Sequence, residues 1–395
     1  MLSQREIFYQ HVAQTSKNPM GLTIERAEGC YLYSPEGKKY LDLISGTSVS
    51  NVGHNNRYVI NAIKQQLDKH MHISVYGEMI QSAQVLLTQK LVAILPEQLN
   101  SVYYVNSGSE AVEGALKLAK RYTGRRKIVA LKNAYHGGTH GALSLTSSAE
   151  HIKAFAPLLP NITLIEINNI DDLKNIDEDT ACVIIEPVQG EAGVVKANDQ
   201  YLNELRKTCS QKGALLIFDE IQSGMGRTGK WFYFQHSGIV PDILLTAKAL
   251  GGGMPLGAFI SSQEIMDSLT HEPVLGHITT FGGHPVCCAA ASAAIDVIEN
   301  EKLIESVKEK SDFFYEFFAD NPLVTEVRRS GLLIALQMES AELAIKTCNS
   351  CVKHGIIVDN FLFNESAIRI APPLTISIQE IETACDSMQE IMYKV

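Results

Sequence analysis

One lysine, Lys248, lies in a stretch of residues 243–260 that carries no other charge and has the sequence ILLTAKALGGGMPLGAFI. Burial in apolar surroundings removes water from an ammonium group, which lowers its pKa and frees the amine to attack a carbonyl carbon. The alternative is a lysine that extends from the end of a strand into water. The glycines at 251–253 favour the reactive lysine, because glycine lets a ligand approach the backbone closely.

Two predicted strands end in carboxylates. Glu186 ends the strand ACVIIE, and Glu191 follows it by five residues. Asp219 lies at the end of the strand ALLIFDE, and Gln222 follows it. A carboxylate at such a position can cap the next helix or bind a metal ion, so neither strand identifies a function by itself.

Two short loops carry residues suited to a planar, anionic ligand. Ser107, Gly108 and Ser109 follow the strand SVYYV and open a helix, whose free N–H groups and dipole can bind an anion. The alternative there is an ordinary serine N-cap. Tyr135 and His136 lie in a glycine-rich loop after the strand KIVAL, where a tyrosine ring can stack on a ligand or be half-buried for packing alone.

Other motifs in the chain fail on their context. Residues 224–230, GMGRTGK, fit the dinucleotide fingerprint and nearly fit the phosphate-binding loop of nucleotide hydrolases. Trp231 stands where a serine or threonine should bind magnesium, however, and the sequence WFYF does not predict a helix that could receive a phosphate. Cys348 and Cys351 form a CxxC within a helix-like segment, and no second pair completes a zinc site, so we expect no metal.

The apolar pattern predicts the elements that position these residues. Short apolar runs begin near residues 101, 127, 162, 181, 214, 242 and 257, and most are separated by helix-like or loop segments. This alternation predicts an α/β fold with a mostly parallel sheet of about seven strands and helices on both faces. Ligands of such sheets bind at the carboxyl ends of the strands, where the polar residues described above fall.

The remaining segments predict a second, smaller α+β domain. Residues 29–43 indicate a β-hairpin, and a long helical stretch is expected from Pro285 through Phe318, followed by strands in VTEVRRSGLLIALQM. We therefore expect an N-terminal segment, residues 1–52, that belongs to the small domain, a large ligand-binding domain at 53–289, and a C-terminal small domain at 290–395.

Composition restricts the classes of partner. The chain has 395 residues with 44 acidic and 34 basic side chains, and its net charge of -10 argues against nucleic acid or an anionic membrane as a partner. The first residues lack a signal-peptide pattern, and no apolar run approaches bilayer length. We expect a cytoplasmic enzyme that acts on small molecules and keeps its eight cysteines reduced.

Taken in this order, the residues resemble the class III (subgroup II) aminotransferases of the fold-type I pyridoxal 5′-phosphate (PLP) enzymes, most closely the acetylornithine and ornithine aminotransferases. The resemblance runs from GCYLYSPEGKKYLDL to IRIAPPLTIS and is most specific in FDEIQSGMGRTG and TAKALGGGMPLGA. It implies a homodimer with shared active sites that transfers an amino group from N-acetylornithine or ornithine to 2-oxoglutarate by a ping-pong mechanism. The alternatives are another ω-amino donor, such as putrescine, 4-aminobutyrate or lysine, or a PLP lyase or aminomutase on the same scaffold.

The resemblance also implies a role for each site residue. Lys248 would form a Schiff base with PLP and move the proton during catalysis, and Asp219 would pair with the ring nitrogen. Glu191 would neutralise Arg369 while the donor is bound and then release it to bind the α-carboxylate of 2-oxoglutarate; a structural salt bridge is the alternative. The other cofactor-binding residues would be Ser107, Gly108 and Ser109 at the phosphate, Tyr135, His136, Glu186 and Gln222 around the ring, and Thr279 and Thr280 at the phosphate of the partner subunit.

Two positions differ from the pattern of this family. Gly138 replaces an arginine that binds the carboxylate of the donor in relatives acting on ornithine or acetylornithine. The usual GHxHP loop reads GHNNR at residues 53–57, so Arg57 is a candidate to compensate. These differences leave room for a diamine or another ω-amino donor.

Overall fold

A seven-stranded sheet occupies the centre of the computed structural model, which describes residues 2–395. The helices in this part of the chain are α1 Gln4–His11, α2 Ser45–Ser48, α3 Arg57–Leu67, α4 Ser82–Ala93, α5 Gly108–Thr123, α6 His140–Leu143, α7 Ala149–Phe155, α8 Asp199–Lys212, α9 Phe234–Ser237, α10 Gln263–Asp267, α11 Pro285–Asn300, α12 Leu303–Phe318, α13 Ala341–Lys353 and α14 Ile378–Met392. The strands are β1 Arg26–Glu28, β2 Tyr31–Tyr33, β3 Lys39–Asp42, β4 Ser101–Val105, β5 Lys127–Leu131, β6 Ile162–Ile165, β7 Thr180–Ile185, β8 Val188–Gln189, β9 Val195–Lys196, β10 Leu215–Asp219, β11 Ile243–Thr246, β12 Gly257–Ser261, β13 Val324–Ser330, β14 Leu333–Met338, β15 Ile356–Ile357, β16 Asp359–Phe361 and β17 Asn364–Ile370.

The central sheet has the strand order β4-β12-β11-β10-β7-β5-β6. Strands β11, β10, β7, β5 and β6 pair in parallel, whereas β12 is antiparallel to both of its neighbours, β4 and β11. The carboxyl ends of β4, β5, β7, β10 and β11 therefore lie at one edge of the sheet. The predicted mostly parallel sheet of seven strands is confirmed.

Helices cover both faces of this sheet because successive side chains of a strand point to opposite faces. Ile184 and Ile217 belong to the core beneath α5. Ile185 and Phe218, one position further along the same strands, belong to the core that includes α8 and α11. Continuous apolar runs such as ACVII and LLIF fit strands that are buried on both faces.

Two smaller sheets contain the remaining longer strands. One has the order β1-β2-β3-β15 and the other β13-β14-β17-β16. Strand β15 pairs in parallel with β3, with Ile356 opposite Leu41, so the two ends of the chain share a sheet.

The helical stretch predicted from Pro285 through Phe318 is two helices rather than one. Lys302 has a φ of 52°, in the left-handed region, and this residue separates α11 from α12. The break has a packing reason, because α11 packs on α3 and α4 while α12 packs on α14 and β13. Within residues 2–395, no helix combines the length and apolar character needed to cross a membrane.

The GMGRTGK segment has a structural role that its motif did not reveal. The side chain of Arg227 is fully buried and donates hydrogen bonds to Leu332 O at 3.0 Å, to Pro372 O at 2.5 Å, to Ser45 Oγ at 3.2 Å and to Asn51 Oδ1. One guanidinium thus joins the large domain to both terminal regions. Burial lowers its pKa to about 9.

Replacement of this guanidinium tests its structural role. We expect Arg227→Ala to lower the free energy of unfolding by about 3 kcal/mol or more, because several buried acceptors lose their donor. The control is Lys207→Ala, which removes an exposed ion pair with Glu204 and should change stability by less than about 0.5 kcal/mol. Urea unfolding followed by circular dichroism measures both variants, and equal midpoints would contradict the role of Arg227.

Candidate active site

Ten of the predicted site residues surround one cavity of about 200 Å³ at the carboxyl edge of the central sheet. Each lies at or after the carboxyl end of one of the strands β4, β5, β7, β10 and β11. The predicted residues that line the cavity are Ser107, Gly108, Ser109, Tyr135, His136, Glu186, Glu191, Asp219, Gln222 and Lys248. The strand ends thus bring together residues separated by up to 141 positions in the sequence, from Ser107 to Lys248.

Lys248 begins a short 3₁₀ turn two residues after β11 and has a φ of 46°. A left-handed backbone is unfavourable for a residue with a side chain and is typical of functional positions. Burial lowers the pKa of the Lys248 amine from its ordinary value; the Glu191 carboxylate opposes the shift and the Arg369 guanidinium adds to it. The lowered pKa favours the neutral, nucleophilic amine.

The three glycines after Lys248 do not serve the ligand, and this corrects the interpretation of the sequence. None of Gly251, Gly252 and Gly253 lines the cavity. A Cβ at Gly252 would lie 2.9 Å from the carbonyl oxygen of Ala290, so this glycine permits close packing against α11. The contact between this turn and α11 therefore explains the glycine at 252.

Asp219 and His136 form a buried pair on the floor of the cavity. His136 Nδ1 lies 2.7 Å from Asp219 Oδ2, and Asp219 Oδ1 accepts a hydrogen bond from Ile221 N at 3.1 Å. Because a carboxylate only accepts, the proton of this pair lies on Nδ1 of the imidazole. Burial lowers the pKa of His136, but the hydrogen bond and charge of Asp219 outweigh burial, so that its net pKa is raised.

Glu186 connects the tyrosine loop to the loop after β7. Its two carboxylate oxygens accept hydrogen bonds from Tyr135 N at 2.7 Å and from Gly190 N at 3.1 Å. Burial raises the pKa of Glu186 to about 7, His136 opposes the shift and Asp219 adds to it. This carboxyl group therefore positions the backbone that carries Tyr135.

The N-terminus of α5 forms an open cradle of backbone groups. Ser107 is the N-cap, with a φ of −152°, and its hydroxyl accepts a hydrogen bond from Glu110 N at 3.2 Å. The amides of Gly108 and Ser109 occupy the first turn, where no helical carbonyl is available to them. A Cβ at Gly108 would lie 2.9 Å from the end of the Ile221 side chain, so a larger residue there would have to displace Ile221.

Glu191 and Arg369 form a buried ion pair at the side of the cavity. Glu191 Oε1 lies 2.5 Å from Arg369 Nη1, and Glu191 Oε2 accepts a hydrogen bond from Leu362 N at 2.9 Å. Glu191 lines the cavity whereas Arg369 does not, so the carboxylate covers the guanidinium. The pair that the sequence predicted is present, with Arg369 in its neutralised arrangement.

Several predicted residues lie outside this cavity. Thr279 Oγ1 accepts a hydrogen bond from Asn106 Nδ2 at 3.2 Å, and Thr280 is exposed; neither lines the cavity. Arg57 is exposed at the start of α3 and does not line it either. At Gly138, a Cβ would meet no atom within 4 Å, so the position normally filled by arginine opens into free space.

Two residues near the site were not found from the sequence. Glu113 Oε1 accepts hydrogen bonds from Thr139 Oγ1 at 2.6 Å and Gly141 N at 2.8 Å, which fixes the loop after His136. Asp359 binds Arg369 from the side opposite Glu191. The sequence does contain a signal for Asp359, because the short run IIVD ends in an acidic residue, like the strands that carry Glu186 and Asp219.

Comparison with known families identifies the class of enzyme that this site serves. The sequence pattern of the family Aminotransferase class-III matches residues 12–392. The chain belongs to the class-III aminotransferases and is a transaminase.

Individual relatives agree with this assignment. The chain is 39% identical to the acetylornithine aminotransferase of Archaeoglobus fulgidus over 381 residues, which cover 96% of this chain and 97% of the relative. It is 41% identical to the LysW-aminoadipate semialdehyde/glutamate semialdehyde transaminase of Sulfurisphaera tokodaii over 352 residues, 87% of this chain and 89% of the relative.

Solved structures show the same fold. The ornithine aminotransferase from Toxoplasma gondii superposes with a TM-score of 0.90 at 27% identity, covering 98% of this chain and 93% of that chain, and has PLP at partial occupancy in its active site. A Bacillus anthracis aminotransferase gives a TM-score of 0.92 at 27% identity, covering 99% of this chain and 98% of that chain. The predicted fold-type I architecture is confirmed.

PLP is the cofactor of this class, as predicted, and the cavity has the chemistry to hold it. The amide cradle of α5 suits a phosphate group. His136 Nε2 and Gln222 Nε2 are buried without a hydrogen-bond partner in residues 2–395, as expected of groups that await a ligand. The Tyr135 side chain, 42% exposed at the cavity, offers an aromatic surface to a planar ring.

Adjacent glycines allow a matched test of this cavity. Gly137 has a φ of 129°, and a Cβ there would lie 2.0 Å from Ser109 Oγ. We expect Gly137→Ala to displace Ser109 from the cradle and weaken PLP binding by about tenfold or more. Gly138→Ala enters open space and should bind PLP like the wild type. Absorbance titration of the apoproteins gives both dissociation constants, and an equal loss in the two variants would contradict this geometry.

Proposed function

We propose that this chain is a PLP-dependent ω-aminotransferase that moves the terminal amino group of N-acetylornithine or ornithine to 2-oxoglutarate by a ping-pong mechanism. The observation that carries the proposal is a desolvated Lys248 beside the Asp219–His136 pair, with the neutralised Arg369 at the side of the same cavity. The names of the relatives support the donor, because one is an acetylornithine aminotransferase.

Each residue would hold a different part of the cofactor. Lys248 would hold it covalently, Asp219 would hold the ring nitrogen, and the amide cradle at Ser107, Gly108 and Ser109 would hold the phosphate. Tyr135 would cover the ring face, and Gln222 and Glu186 would lie beside the ring. When bound, PLP supplies an electron sink for the carbon that carries the amino group.

The chain itself supplies the proton transfers. Once the donor has displaced Lys248 from the cofactor, the neutral amine would take a proton from the amino-bearing carbon of the donor and deliver it to the cofactor. This role requires a pKa below that of a solvated lysine. Asp219, held in place by His136 and Ile221 N, would keep the ring nitrogen protonated. The hydrogen bond that His136 Nδ1 donates would hold the Asp219 carboxylate in one orientation.

Glu191 would let one cavity accept two unlike substrates. With Glu191 covering Arg369, the side of the cavity presents a carboxylate that is already paired with the guanidinium to a donor whose reacting end lacks a carboxylate. When Glu191 moves away, Arg369 can bind the α-carboxylate of the 2-oxo acid by charge-assisted hydrogen bonds. The backbone N–H of Leu362, which also binds Glu191, would be released in the same movement.

We propose that the active enzyme is a homodimer, in which Thr279 and Thr280 complete the cofactor phosphate site of the partner. Residues 274–281, which include these threonines, and residues 71–80 form one contiguous surface, because the rings of His72 and Phe281 lie 4.9 Å apart. The surface is rich in exposed apolar side chains, which are Met71, Tyr76, Met79, Ile80, Val274, Leu275, Ile278 and Phe281. An apolar surface of this kind is typical of a protein–protein interface.

We also propose a cytoplasmic location and the domain limits predicted from the sequence. All eight cysteines are free and buried, which suits a reducing compartment. The pairing of β15 with β3 supports an N-terminal segment at 1–52 that joins the small domain at 290–395, with the PLP-binding domain at 53–289 between them.

Separate half-reactions of the wild-type holoenzyme test the proposed function. We expect N-acetylornithine or ornithine, added without acceptor, to convert the cofactor spectrum to that of the amine form, and 2-oxoglutarate to restore it. Lysine, 4-aminobutyrate and putrescine are the comparison donors. Carbon dioxide release, or turnover that needs no 2-oxo acid, would instead support a lyase or aminomutase.

The open position at Gly138 supports a second candidate, a donor that lacks a carboxylate, such as putrescine. We expect Gly138→Arg to raise kcat/KM for N-acetylornithine relative to putrescine by about tenfold, because the new guanidinium can bind the donor carboxylate. Gly138→Gln controls for side-chain size without the charge. If Gly138→Arg leaves the ratio of kcat/KM for N-acetylornithine to that for putrescine unchanged, this position does not face the donor. In the wild type, the same ratio decides between donors with a carboxylate and donors without one.

A further inference from the structure

Arg369 is bound by a second carboxylate in addition to Glu191. Asp359 Oδ1 accepts from Arg369 Nε at 2.8 Å and Asp359 Oδ2 accepts from Nη2 at 3.2 Å, so that aspartate and guanidinium meet along one edge. Nη2 also donates to Asn360 O at 3.1 Å, and the guanidinium lies over the Phe361 ring at 4.9 Å. Strand β16 therefore surrounds one side of Arg369.

The sheet register places these groups together. Strands β16 and β17 are antiparallel neighbours, with Asp359 directly opposite Arg369. Directly paired side chains on adjacent strands have Cβ atoms about 4.5–5.5 Å apart, close enough for an aspartate to reach an arginine. Arg369 is 5% exposed, so its charge is compensated within the protein. The contact is built into the fold.

The count of N–H groups shows which part of Arg369 is left for a ligand. A guanidinium has five N–H groups in a planar arrangement. The Nε group and Nη2 bind Asp359 and Asn360, whereas Nη1 binds Glu191 alone. Glu191 lines the cavity, so Nη1 is the end of the guanidinium that points towards it. Departure of Glu191 would thus expose Nη1 and leave the other contacts in place.

We propose that Asp359 is a positioning residue for the acceptor half-reaction. It holds the Nε–Nη2 edge of Arg369 through both half-reactions, so that Nη1 exchanges Glu191 for the α-carboxylate of the 2-oxo acid without reorientation of the guanidinium. This role rests on the proposed function, because it requires an acceptor with an α-carboxylate. It also specifies the acceptor, since a fixed Arg369 is a binding site for 2-oxo acids with an α-carboxylate.

Two possible roles of Asp359, positioning Arg369 and competing with the acceptor for Arg369, predict opposite effects of its removal on acceptor binding. If Asp359 had to leave Arg369 before the acceptor could bind, its removal would strengthen acceptor binding. If Asp359 positions Arg369, its removal lets the long side chain adopt other rotamers and weakens acceptor binding. Donors that do not contact Arg369 are unaffected in the second case.

The test compares acceptors and half-reactions in the PLP-loaded enzyme as purified. We expect Asp359→Ala to raise KM for 2-oxoglutarate by about tenfold while the rate of the donor half-reaction stays within about twofold of the wild type. Succinic semialdehyde, an acceptor without an α-carboxylate, should keep its wild-type KM. Glutarate, which cannot react, should bind about tenfold more weakly by calorimetry. Asp359→Asn keeps one hydrogen-bond acceptor for Nε, so its KM for 2-oxoglutarate should lie between those of the wild type and Asp359→Ala.

Two controls separate positioning from a general loss of structure. Asp312→Ala removes a different aspartate–arginine pair, in which Asp312 Oδ1 lies 2.6 Å from Arg329 Nη1, together with the ion pair between Asp312 and Lys308. This variant should keep the wild-type KM for both acceptors. The melting temperature of each variant shows whether it is folded. Tighter glutarate binding in Asp359→Ala, or equal losses for both acceptors in Asp359→Ala and Asp359→Asn, would overturn the role of Asp359. A wild-type enzyme that transfers no amino group to 2-oxoglutarate would overturn the proposed function together with this role.

Discussion

Lys248 is held at the carboxyl end of β11 with its amine removed from water, and the arrangement of the site depends on this burial. An ammonium group in such a place is costly, so the neutral amine is favoured. The parallel strands make the burial feasible, because they direct five strand ends towards one edge and close a small cavity around the lysine. The left-handed backbone at Lys248 is the local cost of turning the chain there.

Every other buried charge around the cavity has a partner. Asp219 binds His136, Glu186 accepts two backbone N–H groups, and Glu191 is paired with Arg369. Buried carboxylates without such partners would be protonated or would destabilise the fold. Of the three acids, only Glu191 is paired with a guanidinium, and in the proposed function it would leave Arg369 when a second carboxylate arrives.

The sequence predicted those parts of the fold that depend on local pattern. Apolar runs such as ACVII marked the strands, and the polar residues after them marked the active site, because both follow from burial on two faces of a parallel sheet. Features set by distant contacts were missed or misread. The chain breaks at Lys302 because α11 packs on α3 and α4 while α12 packs on α14 and β13. The burial of Arg227 depends on three separate regions of the chain, and the pairing of Asp359 with Arg369 depends on strand register.

Chemical trapping of the cofactor tests the central claim most directly. Borohydride reduction of the purified holoenzyme fixes the bond between PLP and the amine that holds it, and peptide mass spectrometry then identifies the modified lysine. The account predicts one modified peptide, containing Lys248, and no trapped cofactor in the Lys248→Ala variant, which should remain folded. Modification of a different lysine in the wild type, or no fixed cofactor after PLP is supplied, would contradict the assignment of Lys248.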